Sequence, residues 1–112
     1  MQKEERPNIL LVEDEGSLGF LLKENLKLAN FSVKLYKDGE EGFESFKTEK
    51  FDICIFDVNM PKKDGFELAR DVRKRNQSVP IIFLTANYLQ KKGRICHFKM
   101  KEFLRSYQYL LF

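Results

Sequence analysis

Short runs of consecutive apolar residues alternate along the chain with stretches where apolar positions recur every three or four residues. Ile9-Leu10-Leu11-Val12 is a continuous apolar run, as expected of a strand buried on both faces, and it ends in Glu13-Asp14-Glu15-Gly16. Ser17 can cap a helix in which Leu18, Leu21, Leu22, Leu26 and Ala29 lie on one stripe. Phe31 to Tyr36 alternates with period two and reads as a strand near the sheet edge. Asp38-Gly39 is a turn signal, and Gly42, Phe43 and Phe46 mark the apolar face of a second helix. Phe51 to Phe56 is another apolar strand, stopping at Asp57, and the segment from Asn59 through Pro61 to Gly65 is a loop by its Pro and Asp-Gly content. Phe66, Leu68, Ala69 and Val72 give a third helix ending near Asn76. Pro80 to Leu84 is a further hydrophobic strand, followed by Thr85-Ala86. This alternation predicts an α/β fold with a largely parallel sheet and right-handed crossovers.

With 112 residues, the chain is expected to form a single domain over 1–112, without a separate effector or catalytic module. Hydrophobic residues at 43% and charged residues at 33% are a globular balance and argue against a disordered tail. No apolar run approaches the ~18–20 residues of a membrane span, and the opening MQKEERP has no apolar core for a signal peptide. The expectation is a cytoplasmic protein with no membrane partner. Cys54 and Cys96 do not form a CxxC pair and read as reduced thiols.

The net charge of +3 hides an asymmetry. Residues 1–57 carry 8 basic and 13 acidic side chains, net −5, and residues 58–112 carry 12 and 4, net +8. A basic half can signal nucleic acid. Here Lys62, Lys63, Arg73, Lys74, Arg75, Lys91, Lys92 and Arg94 fall where exposed turns and helix ends are expected, so they read as a solvated face, and no direct nucleic-acid contact is expected.

Sites in helix-covered parallel sheets form outside the carboxyl ends of the strands. Those ends carry Glu13-Asp14, Asp57 and Thr85. Carboxylates brought together repel by ~4 kcal/mol per pair at 4 Å and an effective dielectric near 20. Such a cluster persists only with a bound cation or a raised pKa. Strand-end acids also cap helices, and Glu13 or Glu15 alone would be read that way. Asp57 differs, because it follows an apolar strand and precedes a loop with Pro61 and Gly65. Taken jointly, the acidic pair, the single Asp and the Thr suit a Mg²⁺-assisted phosphoryl site with an aspartate nucleophile.

These residues resemble a response-regulator receiver domain. The resemblance is carried by Ile9 to Glu15, by Phe51 to Pro61 with Asp64-Gly65, and by Pro80 to Ala86, and it covers about residues 7–87. It implies a flavodoxin-like sheet of order 2-1-3-4-5 and phosphoryl transfer from a sensor histidine kinase or phosphotransfer protein. By the resemblance Asp57 is the phosphoacceptor, and Glu13 and Asp14 form the acidic pocket. Asp14, Asp57 and the backbone carbonyl of Asn59 would hold Mg²⁺, and Thr85 would be the switch hydroxyl.

Residues 88–112 depart from the family, with no Gly-Ala-Asp-Asp motif and no Lys-Pro pair. The fifth strand is therefore expected to be missing or replaced, and with it the phosphate-binding lysine. One alignment puts Arg94 to Met100 at the end of a fourth helix and Lys101 to Leu104 at the start of a fifth. A rival alignment puts Lys99 in the lysine's place. Lys99 is the best substitute cation, or else a solvated helix lysine. Phe103, Leu104, Tyr107, Leu110 and Leu111 have helical spacing and could cover the exposed fourth strand or pair with a second chain as a homodimer. Two functions follow as alternatives. One is a phosphorylated signalling domain that switches a protein–protein surface. The other is a degenerate or truncated receiver that acts only as a binding module. A Mg²⁺-dependent aspartyl phosphatase fits less well, because such enzymes usually place a second Asp where this chain has Asn59.

Overall fold

A computed structural model describes residues 6–84. Over them the chain runs β1 (Asn8–Val12), α1 (Gly16–Leu28), β2 (Ser32–Tyr36), α2 (Gly39–Thr48), β3 (Ile53–Asp57), α3 (Gly65–Arg75) and β4 (Ile81–Leu84). The four strands form one parallel sheet of order β2-β1-β3-β4. This is the expected 2-1-3-4 arrangement. The part of the chain on which the fifth strand was in question lies outside the described residues.

The continuous apolar runs are explained by burial on both faces. Successive residues of β1 point to opposite sides, and each side has its own core. Leu10 and Val12 join Cys54, Phe56, Leu68, Ala69, Val72 and Ile81, under α2 and α3. Ile9 and Leu11 join Leu22, Leu26, Ile55, Ile82 and Leu84, under α1. Ile81 and Ile82 of β4 are both buried. Among the described residues β2 pairs only with β1 and keeps a largely alternating exposure, as the edge strand that its period-two pattern predicts.

The helix starts are set by local chemistry. Asp38 caps α2 by accepting from Glu41 N–H at 2.8 Å. Asp64 and Glu67 form a reciprocal capping box on α3, with Asp64 Oδ1 accepting from Glu67 N–H and Glu67 Oε1 accepting from Asp64 N–H. For α1 the sequence suggested Ser17, but the cap is Glu15, whose carboxylate accepts from Leu18 N–H at 2.7 Å. The helix begins one residue before Ser17, so Ser17 lies inside its first turn. Phe66 also departs from expectation. It is 44% exposed, and its ring leans on Phe83 with centroids 4.7 Å apart.

Two glycines permit close approaches. A Cβ at Gly42 would sit 2.7 Å from Val12 Cγ2, so α2 lies tight against β1. A Cβ at Gly65 would sit 2.4 Å from the carbonyl oxygen of Asp57, so the start of α3 is pressed onto the end of β3.

Candidate metal centre

The register of the sheet assembles the acidic residues. Val12 pairs with Phe56 across β1 and β3, so Glu13 and Asp57 leave adjacent strands at the same level. Glu13 N–H donates to the Tyr36 carbonyl at 3.0 Å, extending the ladder by one residue past β1 and fixing that backbone. One carboxylate oxygen from each of Glu13, Asp14 and Asp57 lies within 4.8 Å of the others. Glu13 and Asp57 are 2% and 6% exposed, and Asp14 is the most accessible of the three.

The backbone partly compensates this crowding. Glu13 Oε2 accepts from Glu15 N–H at 3.0 Å, and Asp57 Oδ1 accepts from Asn59 N–H at 3.2 Å. Neither bond offsets burial. Desolvation, reinforced by the charge of Asp57 and a hydrogen bond to it, pushes Glu13 up to about 8. Desolvation also raises Asp57 above the ordinary aspartate value, against the pull of the Asn59 N–H. A proton on Glu13 would relieve the repulsion within the pair.

A divalent cation would do the same work by charge. The donor set is all carboxylate oxygen, hard and compact, with one member open to solvent. That suits Mg²⁺, which binds through one or two carboxylates and retains several waters. The residues present therefore fit the ion. Asn59, the fourth expected contributor, follows Asp57 by two residues, with its N–H turned onto Asp57 and its side chain exposed. Thr85 and Lys99 lie outside the described residues.

Sequence reasoning missed two contributors. Gly65 counted only as part of a turn, yet its lack of a Cβ lets α3 begin against Asp57. Lys63 reads from the sequence as part of a solvated face, but it is half-buried, paired with Asp71 and set over the Phe43 ring at 5.7 Å. Its i,i+8 partner across a turn has no periodic signal in sequence. Cys54 is inert by its surroundings, because burial pushes its thiol up to about 12.

Comparison with known proteins agrees with this geometry. A family model described as the response regulator receiver domain matches residues 9–105. The transcriptional regulatory protein RprY of Bacteroides fragilis is 53% identical over 88 residues, which cover 79% of this chain and 37% of RprY. The chain thus spans little more than a third of that relative. The response regulator TrrA of Thermotoga maritima, crystallised with Mg²⁺ and BeF, superposes with a TM-score of 0.77 at 29% identity, covering 94% of this chain and 99% of TrrA. A structure of the histidine kinase ThkA in complex with TrrA matches with a TM-score of 0.68 at 36% identity, covering 71% of this chain and 69% of the matched one. Among the described residues no helix is long and apolar enough to cross a membrane.

Proposed function

The chain belongs to the response regulator receiver family, and from that premise we propose that it accepts a phosphoryl group on Asp57 from a histidine kinase. The observation that carries the proposal is the convergence of Glu13, Asp14 and Asp57, two of them buried, at the carboxyl edge of the sheet. A buried strand-end aspartate beside two further carboxylates has little structural rationale, because its desolvation opposes folding. As a nucleophile it has one. An Asp57 oxygen attacks the phosphorus of a phosphohistidine, the P–N bond breaks, and the imidazole leaves with the electron pair and takes up a proton. Asp57 carries the acyl phosphate, Asp14, Asp57 and the Asn59 backbone carbonyl would hold Mg²⁺, and Glu13 would support them from the buried side. When bound, Mg²⁺ supplies positive charge against the carboxylates and the phosphoryl oxygens.

On the same reading Thr85, next after β4, provides the hydroxyl that follows the phosphoryl oxygen. The new dianion biases a packing equilibrium and switches a protein–protein surface. Lys99 is the cation offered in place of the family's lysine. The kinase partner is supported by the crystallised pair of ThkA and TrrA, and the metal by TrrA with Mg²⁺ and BeF. The site acts as a phosphoacceptor rather than a turnover enzyme, in the cytoplasm, within a domain of residues 1–112. The test is incubation with a small phosphodonor and Mg²⁺, read by intact mass. A gain of one phosphoryl group that requires Mg²⁺ and is absent in Asp57→Ala supports the proposal. No gain in a folded protein would favour the phosphorylation-independent binding module.

A further inference from the structure

The loop that joins β3 to α3 carries Asn59 and is secured at both ends. Val58 N–H donates to the Leu84 carbonyl at 2.9 Å, and Gly65 N–H donates back to the Val58 carbonyl at 3.1 Å. Between them Lys62 has φ of 66°, a left-handed conformation unfavourable for a residue with a Cβ. The next residue supplies a hold. Lys63 Nζ pairs with Asp71, in the second turn of α3, and the two side chains are 26% and 27% exposed. The same ammonium stands 5.7 Å from the Phe43 ring centroid on α2, within cation–π reach. The backbone agrees, since a Cβ at Gly39, the first residue of α2, would lie 2.9 Å from the Lys63 carbonyl oxygen. One side chain therefore ties the loop to both helices on this face of the sheet.

An exposed ion pair on a surface contributes little. This one is half-buried, shared with a ring, and four residues from Asn59 on a loop whose first residue follows Asp57. We infer that Lys63 is a positioning residue for the metal centre. Its bridge between Asp71 and Phe43 holds the 58–64 loop so that the Asn59 backbone stays beside Asp57. The inference rests on the Mg²⁺ reading above. Mg²⁺ demands near-ideal octahedral geometry, so a loosened ligand loop weakens binding even where the fold survives.

Calorimetric titration of Mg²⁺ into the full chain tests this, with urea unfolding of each variant as a check on folding. Lys63→Ala and Asp71→Asn should each weaken Mg²⁺ binding by about fivefold, or about 1 kcal/mol, and the double variant by no more than either alone. Lys63→Arg, which keeps a cation able to pair with Asp71, should stay within about twofold of wild type. Lys34→Ala, which removes the Lys34–Glu49 pair (2.8 Å) on β2, should leave binding unchanged. The matched loss in Lys63→Ala and Asp71→Asn is the diagnostic result. Through-space electrostatics alone would make the first bind Mg²⁺ more tightly and the second less. Wild-type affinity in Lys63→Ala, or opposite effects in the two variants, overturns the positioning role. If wild type binds Mg²⁺ and Asp57→Asn weakens it, the metal reading survives that loss. A wild-type chain that binds no Mg²⁺ overturns both.

Discussion

Glu13 and Asp57 are held where water cannot hydrate both of them, and the consequence is a stability that depends on pH. A carboxyl whose folded-state pKa is raised binds its proton more tightly in the folded chain than in the unfolded one. Its contribution is therefore fully present below the unfolded value, 4.5 for Glu13, and is lost as pH rises through about 8. Urea unfolding of the metal-free chain should show stability falling between about pH 5 and about pH 8. Glu13→Gln, which keeps a neutral hydrogen-bonding group there, should flatten most of that slope. Saturating Mg²⁺ should raise stability more at pH 8 than at pH 6, because at the lower pH it competes with the proton and binds only the folded chain. A slope of opposite sign in the metal-free protein would mean that burial does not govern these carboxyls.

At the scale of elements, the close contact of α3 with the end of β3 makes its own prediction. Gly65→Ala should cost about 1–3 kcal/mol, because the new methyl meets the Asp57 carbonyl at 2.4 Å. Gly16→Ala, one residue into α1 with nothing within 4 Å of its Cβ, should be neutral or stabilising by up to ~1 kcal/mol. Denaturant midpoints of the two variants check the contrast. The elements themselves were legible in sequence. β1, β3 and β4 show as apolar runs because each is covered on both faces, and Leu68, Ala69 and Val72 mark the buried stripe of α3. What escaped notice depends on contacts between elements. Ser17 looked like the cap because hydroxyls favour that position, but the turn after Glu13 brings Glu15 there instead. Phe66 fits the helical stripe yet lies at its border, where the aromatic edge of β4 receives it. Lys63 resembles any other lysine in a basic stretch until Asp71 and Phe43 are placed around it.

For the whole molecule, two cores share one sheet, and the strand-end site depends on both. β1 contributes Leu10 and Val12 to one core and Ile9 and Leu11 to the other, so neither can loosen without moving the strand that ends at Glu13. Leu68→Ala, in the core under α3, and Leu22→Ala, in the core under α1, should each cost about 2–5 kcal/mol. Each should give a single cooperative transition by circular dichroism and by tyrosine fluorescence. Separate transitions would show that the two layers fold independently. The acidic cluster was legible as a set because the ends of β1 and β3 supply it, and a parallel sheet brings such ends to one edge. The central claim is that this edge makes Asp57 a phosphoacceptor. Its most direct test is to treat the chain with a small phosphodonor and Mg²⁺, reduce the acyl phosphate with borohydride, and map the product by peptide mass spectrometry. Conversion of position 57 alone to homoserine, lost when Mg²⁺ is chelated, is the expected result. Modification of a different carboxylate, or none in a chain that remains folded, would contradict it.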